Sequence, residues 1–208
     1  MRFSPRVERF GGQAAAAWEI HHAAFAAKRD GADVIMLSVG DPDFATPAPI
    51  VDAAMRALDR GDTHYTEIPG RPALRAAIAQ DHRARGGPEI GPENVIVMAG
   101  AQNALFAASL CLFAPGDEVL VLDPMYLSYE ATLRVSGAEI VRVPPRPDSG
   151  FRPDLDAIER AVSPRSRGII LATPNNPSGV VLTEAELAGI PALARRHDLS
   201  VISDEVYA

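Results

Sequence analysis

Cysteine occurs once, at Cys111, so the chain cannot close a disulfide within itself and a reducing compartment is expected. Lysine also occurs once, at Lys28, and arginine carries the rest of the positive charge. No apolar run reaches the roughly 20 residues that cross a bilayer. The N-terminus has Arg2, Arg6 and alanines at 14–17, but Glu19, His21 and His22 interrupt it. It does not read as a secretory leader, and a cytoplasmic location is expected. GxGxxG, Walker A and CxxC patterns are missing, which disfavours a nucleotide-binding dehydrogenase or a P-loop enzyme. His21, His22, His64, His82 and His197 show no metal-ligand spacing, so no metal is expected. Positive charge is in deficit: the net charge of -7 argues against nucleic acid or an anionic membrane as the main partner.

What is present suffices for a sizeable core, with 47% hydrophobic residues in 208. The 23% charged content is near the globular average, which argues against wholesale disorder. An alanine-rich helix, exposed or arm-like, fits 13–29, with Trp18, Ile20 and Phe25 as candidate anchors. Val34–Leu37 reads as a short strand, followed by turn chemistry at Gly40-Asp41-Pro42-Asp43. Helical patterning covers 48–60 and 72–85, the second ending at Gly86-Gly87-Pro88. Five short apolar runs follow: Val95–Met98, Val119–Leu122, Ile140–Val143, Ile169–Leu171 and Leu199–Ile202. Amphipathic stretches near 102–113, 126–136, 154–162 and 183–197 separate them. Short bulky strands alternating with helices predict an open α/β sheet with helices on both faces. Ligands of such sheets lie at the carboxyl ends of the strands.

Those ends carry the informative residues. Ala99-Gly100-Ala101-Gln102-Asn103-Ala104 places a glycine between a strand and a helix. Backbone N–H groups there can meet an anion, with phosphate the natural guest; a plain tight turn explains the same residues. Asp123-Pro124-Met125-Tyr126 puts an aromatic at the sheet mouth, for stacking on a planar ring or for packing. Thr173-Pro174-Asn175-Asn176-Pro177-Ser178-Gly179 is a rigid polar loop, in which Asn176 can present its amide to a ligand or belong to an Asx turn. Ser203-Asp204-Glu205-Val206-Tyr207 puts an acid directly after a buried strand, which is costly unless something cationic meets it. Asp204 and Tyr207 are three apart and can face the same way in a helical turn.

In order and spacing these segments resemble the class I/II (fold-type I) pyridoxal-phosphate-dependent aminotransferases, from about Leu37 to the last residue. The resemblance also rests on Ser38-Val39-Gly40-Asp41-Pro42-Asp43-Phe44, on Thr63-His64-Tyr65 with Gly70-Arg71-Pro72-Ala73-Leu74-Arg75, and on Pro115-Gly116-Asp117-Glu118-Val119. It implies a three-layer α/β/α large domain with a mostly parallel sheet. Residues 1–36 would be an N-terminal arm and helix, part of the small domain in the full family. Residues 37–208 would be an incomplete pyridoxal-phosphate-binding large domain. It further implies that the Gly100 turn, with backbone groups of Ala101 and Gln102, holds the cofactor phosphate. Tyr126 would stack on the pyridine ring, Asn176 and Tyr207 would bond its O3′, and Asp204 would pair with the ring nitrogen. Tyr65 would reach the phosphate of the other subunit in a homodimer, and Gly40 would approach the substrate carboxylate.

The chain departs from the family where the family has its catalyst. The Schiff-base lysine is expected downstream of the Asp-Tyr pair, beyond Ala208, and Lys28 does not match its motif. The arginines that take the phosphate and the substrate carboxylate, the central strands and the C-terminal small domain are expected there too. The 208 residues therefore read as part of a longer protein, inactive alone and without a lysine-bound cofactor absorbance. The stretch from Ala16 and Trp18 through Gly40-Asp41-Pro42-Asp43 to Gly100-Ala101-Gln102 is particularly similar to arginine–pyruvate transaminases. Arginine with pyruvate is the first substrate expectation; aspartate or an aromatic amino acid with 2-oxoglutarate comes next. The alternatives are a lyase or synthase on the same scaffold, a ligand-sensing transcription regulator, and a fragment that binds the cofactor without turnover. The regulator would need a DNA-binding segment upstream, for which Met1 leaves little room.

Overall fold

The computed structural model describes residues 2–10, 13–146 and 148–208. Two compact units divide the chain: Met1–Met36 with Gly100–Ala208, and Leu37–Ala99.

The first unit is built on four parallel strands, β1 (Glu118–Leu122), β2 (Glu139–Val143), β3 (Ser166–Ala172) and β4 (Ser200–Asp204), in the order β2-β1-β3-β4. The helices of this unit are α1 (Gln13–Arg29), α4 (Ala101–Leu112), α5 (Tyr129–Arg134), α6 (Leu155–Ala161) and α7 (Glu184–Arg196). Successive strand side chains point to opposite faces, and the core divides accordingly. Val119 and Val121 of β1 and Ile170 of β3 pack with Leu105 of α4 and Leu133 of α5. Leu120 of β1 and Ile169 and Leu171 of β3 pack with Ile158 of α6 and Ile190 and Leu193 of α7. Two separate cores on one sheet make the three-layer α/β/α arrangement expected from the apolar runs.

Topology fixes the mouth of the sheet. From β1 the chain passes through α5 to β2 on one side, then crosses back through α6 to β3 on the other side of β1. The strand order therefore reverses between β1 and β3, where an open sheet leaves a crevice at its carboxyl edge. Local signals agree. A capping box starts α7: the Glu186 N–H donates to Thr183 Oγ1 at 3.3 Å, and the Thr183 N–H donates to Glu186 Oε2 at 2.7 Å. Glu118 is buried at the start of β1, where Ser163 Oγ donates to it at 2.5 Å and Arg165 pairs with it.

The second unit contains α2 (Ala48–Asp59) and α3 (Pro72–Ala84), each with proline in its first turn, where the missing N–H costs nothing. Arg75 of α3 donates from Nε to Val95 O at 2.9 Å and from Nη2 to Pro92 O at 2.7 Å. Gly70 has φ +107°, and a Cβ there would lie 2.7 Å from the Val97 side chain.

Two expected strands do not form. Val95–Met98 has extended character, but Arg75 takes Val95 O and Val97 N–H donates to Pro69 O at 2.9 Å. Those contacts occupy one edge of the run, and among the described residues no strand pairs with the other. Val34–Leu37 alternates in exposure but has no paired neighbour among the described residues either; Ile35 is 84% and Leu37 90% exposed. The helix expected over 126–136 is shorter, because Tyr126–Ser128 form a turn closed by Tyr129 N–H to Tyr126 O at 3.1 Å. Helix α1 matches its expected span, yet its expected anchors Trp18, Ile20 and Phe25 are exposed; the Trp18 ring meets the His21 ring edge-on at 5.4 Å.

Candidate functional site

A cavity of about 290 Å³ opens at the carboxyl edge of the sheet in the first unit. That is near the lower end of the range for small-molecule sites. Four chain segments build its wall: the start of α4, the turn after β1, the loop after β3 and the end of β4.

Gly100, Ala101 and Gln102 form one side. Gly100 sits at φ +84°, a conformation that costs other residues energy, and it caps α4 without a side chain. The first-turn N–H groups of α4 therefore have no side-chain cap from Gly100 and are available to an anion. The Gln102 side chain turns to its neighbours instead: its amide bonds Ser128 Oγ, and Thr132 Oγ1 lies 3.2 Å from its oxygen.

Tyr126 lines the cavity at the turn after β1, with its ring against the edge of Tyr129 at 5.6 Å and 82°. The loop after β3 gives its two adjacent asparagines different contacts. Asn175 ties the loop to itself: its Oδ1 accepts from the Ser178 N–H at 3.1 Å and from Ser178 Oγ at 2.6 Å. Asn176 is left to line the cavity, and its Nδ2 donates to Tyr207 Oη at 3.1 Å.

Asp204 closes the floor at the last position of β4. Its Oδ1 accepts from the Val206 N–H at 3.1 Å, and its Oδ2 accepts from Tyr129 Oη at 2.5 Å. Among the described residues no arginine, lysine or histidine forms an ion pair with it. The cationic partner that an acid in this position calls for is thus not supplied by this set of side chains.

Tyr129 escaped the sequence reading. It is only 2% exposed, and burial, with the Asp204 carboxylate second, pushes its phenol well above the usual range, so it remains a donor. Its three-residue spacing from Tyr126 on a helix start was the available signal, since that spacing turns both rings to one side.

Seven expected site residues, Gly100, Ala101, Gln102, Tyr126, Asn176, Asp204 and Tyr207, line this one cavity. Gly40 and Tyr65 belong to the second unit, where both are exposed. Among the described residues, no group of three or more His, Cys, Asp or Glu is placed to hold a metal, and no helix is long and apolar enough to cross a membrane.

The profile of the family described as aminotransferase class I and II matches residues 32–208. The arginine–pyruvate transaminase AruH of Pseudomonas aeruginosa is 48% identical over all 208 residues, which cover 53% of that protein. The aspartate/prephenate aminotransferase of Thermus thermophilus is 40% identical over 180 residues, covering 86% of this chain and 47% of that one. Among solved structures, Thermus thermophilus aspartate aminotransferase with maleate superimposes with a TM-score of 0.94 at 38% identity, covering 100% of this chain and 54% of that one. Alanine aminotransferase from Pyrococcus furiosus gives 0.92 at 31% identity, covering 99% and 52%. The chain spans about half the length of the curated relatives it matches.

Proposed function

The chain belongs to the aminotransferase class I and II family, and we propose that the protein it forms part of transfers an amino group from an L-amino acid to a 2-oxo acid with pyridoxal phosphate. One observation carries this reading: an Asp204 carboxylate to which no cationic side chain is paired among the described residues lies in the same cavity as an uncapped helix start and an aromatic ring.

That donor set fits the cofactor at each chemical group. The α4 N-terminal turn suits a phosphate dianion, with backbone N–H groups and the helix dipole together favouring negative charge. Tyr126 offers a face or edge to a planar ring, and Asn176 with Tyr207 offers polar atoms to the ring hydroxyl oxygen. Asp204 suits a protonated pyridine nitrogen, held in place by Tyr129. Bound pyridoxal phosphate would supply an electron sink for the carbanion formed when an amino acid loses its α-proton. Asp204 would keep the ring nitrogen protonated. Tyr129, donating to the other carboxylate oxygen, would keep that acid aimed. No residue among these 208 is assigned as the lysine that ties the cofactor, and Lys28 lies on the exposed helix α1.

The same reading assigns Gly40 to the substrate carboxylate and Tyr65 to the cofactor phosphate of a second subunit in a homodimer. It assigns residues 1–36 to an arm and 37–208 to the cofactor-binding domain, in a cytoplasmic protein. Arginine and pyruvate are the proposed donor and acceptor, supported by the 48% identity to an arginine–pyruvate transaminase along the whole chain. The full-length protein, loaded with pyridoxal phosphate and supplied with arginine and pyruvate, is expected to form alanine in proportion to arginine consumed. Ammonia release without any oxo acid would identify a lyase instead. Alanine from aspartate but not from arginine would overturn the donor assignment.

A further inference from the structure

The two chain segments that frame the phosphate end and the ring face of the cavity are joined by side chains rather than by backbone. Gln102 stands in the first turn of α4. Ser128 lies between Tyr126 and Tyr129, and Thr132 is one turn further along α5. The Gln102 amide nitrogen donates to Ser128 Oγ. Thr132 Oγ1 faces two acceptors, Ser128 O at 2.9 Å and Gln102 Oε1 at 3.2 Å. Turning the amide over would give Thr132 an N–H to accept and Ser128 an oxygen to donate to, so the three residues stay joined in either orientation.

The burial of the three differs, and that decides which one governs. Gln102 is exposed and its long side chain is costly to order in water. Thr132 is 8% exposed, among the few buried polar residues of the chain. A hydroxyl in that position is a fixed point, because breaking its bonds would leave a polar group without water. Gly100, with no side chain, offers the start of α4 no side-chain cap.

We infer that Thr132 is a positioning residue for the cofactor phosphate, acting through the Gln102 side chain to hold the first turn of α4 in register with the turn that carries Tyr126. The inference rests on the pyridoxal-phosphate reading of the cavity. It concerns the phosphate half of the ligand and leaves the ring half to Tyr126 and Asp204.

Pyridoxal phosphate and pyridoxal share a ring and differ in the phosphate, so their separate affinities test the claim. Both are titrated by fluorescence into the full-length protein freed of cofactor, as wild type, Thr132→Val, Thr132→Ser and Ser128→Ala. Thr132→Val keeps the shape and removes the hydroxyl. It is expected to weaken pyridoxal phosphate about five- to tenfold while pyridoxal changes less than about twofold. Thr132→Ser restores the hydroxyl and the affinity. Ser128→Ala, at a half-buried position, shows the same selective loss and supplies the answer if melting shows Thr132→Val to be unfolded. Equal weakening of both compounds by the Thr132→Val and Ser128→Ala variants, or no weakening of either, overturns the inference. A wild-type protein that binds neither compound overturns the cofactor reading itself.

Discussion

Tyr129 donates its phenol hydrogen to Asp204 at 2.5 Å, joining a residue after β1 to the last residue of β4 across the width of β3. Because the sheet order places β3 between these strands, the contact spans the mouth where the order reverses. It fixes one carboxylate oxygen and leaves the cavity side of Asp204 for a ligand.

Replacing Tyr129 by phenylalanine removes only the hydroxyl from a buried ring. The Asp204 carboxylate then loses a charge-assisted hydrogen bond. Transamination by the full-length Tyr129→Phe variant should fall by roughly tenfold in kcat/KM, the effect of losing about 1.5 kcal/mol. An unchanged kcat/KM would remove Tyr129 from the site.

The phenol of Tyr129 also has a signature in pH. Burial first and Asp204 second raise its folded pKa above the usual value of about 10. A raised pKa means that the folded state holds the proton more tightly than the unfolded chain does. The stabilisation from this group is therefore complete below about pH 10 and is lost as pH rises towards the folded value. In an ultraviolet titration, wild type minus Tyr129→Phe should show no tyrosinate absorbance at pH values up to about 10. Ionisation of this residue at about pH 9 would contradict the buried contact with Asp204.

Gly100 and Gly70 both have positive φ, yet an added methyl group meets different surroundings. At Gly100 nothing lies within 4 Å of the new Cβ, so Gly100→Ala should cost only the conformational penalty of about 1–2 kcal/mol. At Gly70 the Cβ would lie 2.7 Å from Val97, so Gly70→Ala should cost more. Urea unfolding of both variants checks the order; equal losses would refute it.

The capping box of α7 should be visible in stability alone. Thr183→Ala removes the acceptor for the Glu186 N–H and should lower unfolding free energy by about 1 kcal/mol. Thr183→Ser should retain most of it, and chemical denaturation reads the difference.

Most of this architecture was legible because local chemistry and periodicity agreed. Gly86-Gly87-Pro88 marks the end of α3, and the runs around Val119, Ile140, Ile169 and Leu199 became the four strands. Val95–Met98 carries the same apolar signal, but a strand also needs a neighbour, and no single run reveals whether one lies beside it. The site divides in the same way. Asn176 and Asp204 stand at the ends of observed strands, and Gly100 follows an apolar run and opens a helix, so local chemistry singled all three out. Tyr129 and Thr132 act through contacts 75 and 30 residues away in sequence, with Asp204 and Gln102, so their partners appear only when the sheet is assembled. The loop Asn175-Asn176 shows a finer limit: the sequence does not say which of two adjacent asparagines bonds within the loop and which lines the cavity.

In the proposed function Asp204 meets a protonated pyridine nitrogen. Nitrogen-15 NMR of the full-length protein loaded with ring-labelled pyridoxal phosphate tests it directly. The wild type should give a protonated-nitrogen shift, and Asp204→Asn should move it to the unprotonated position, with cofactor affinity falling about 10- to 100-fold from loss of a charge-assisted bond. A ring nitrogen that is unprotonated in the wild type, or one that stays protonated in Asp204→Asn, would contradict the assignment.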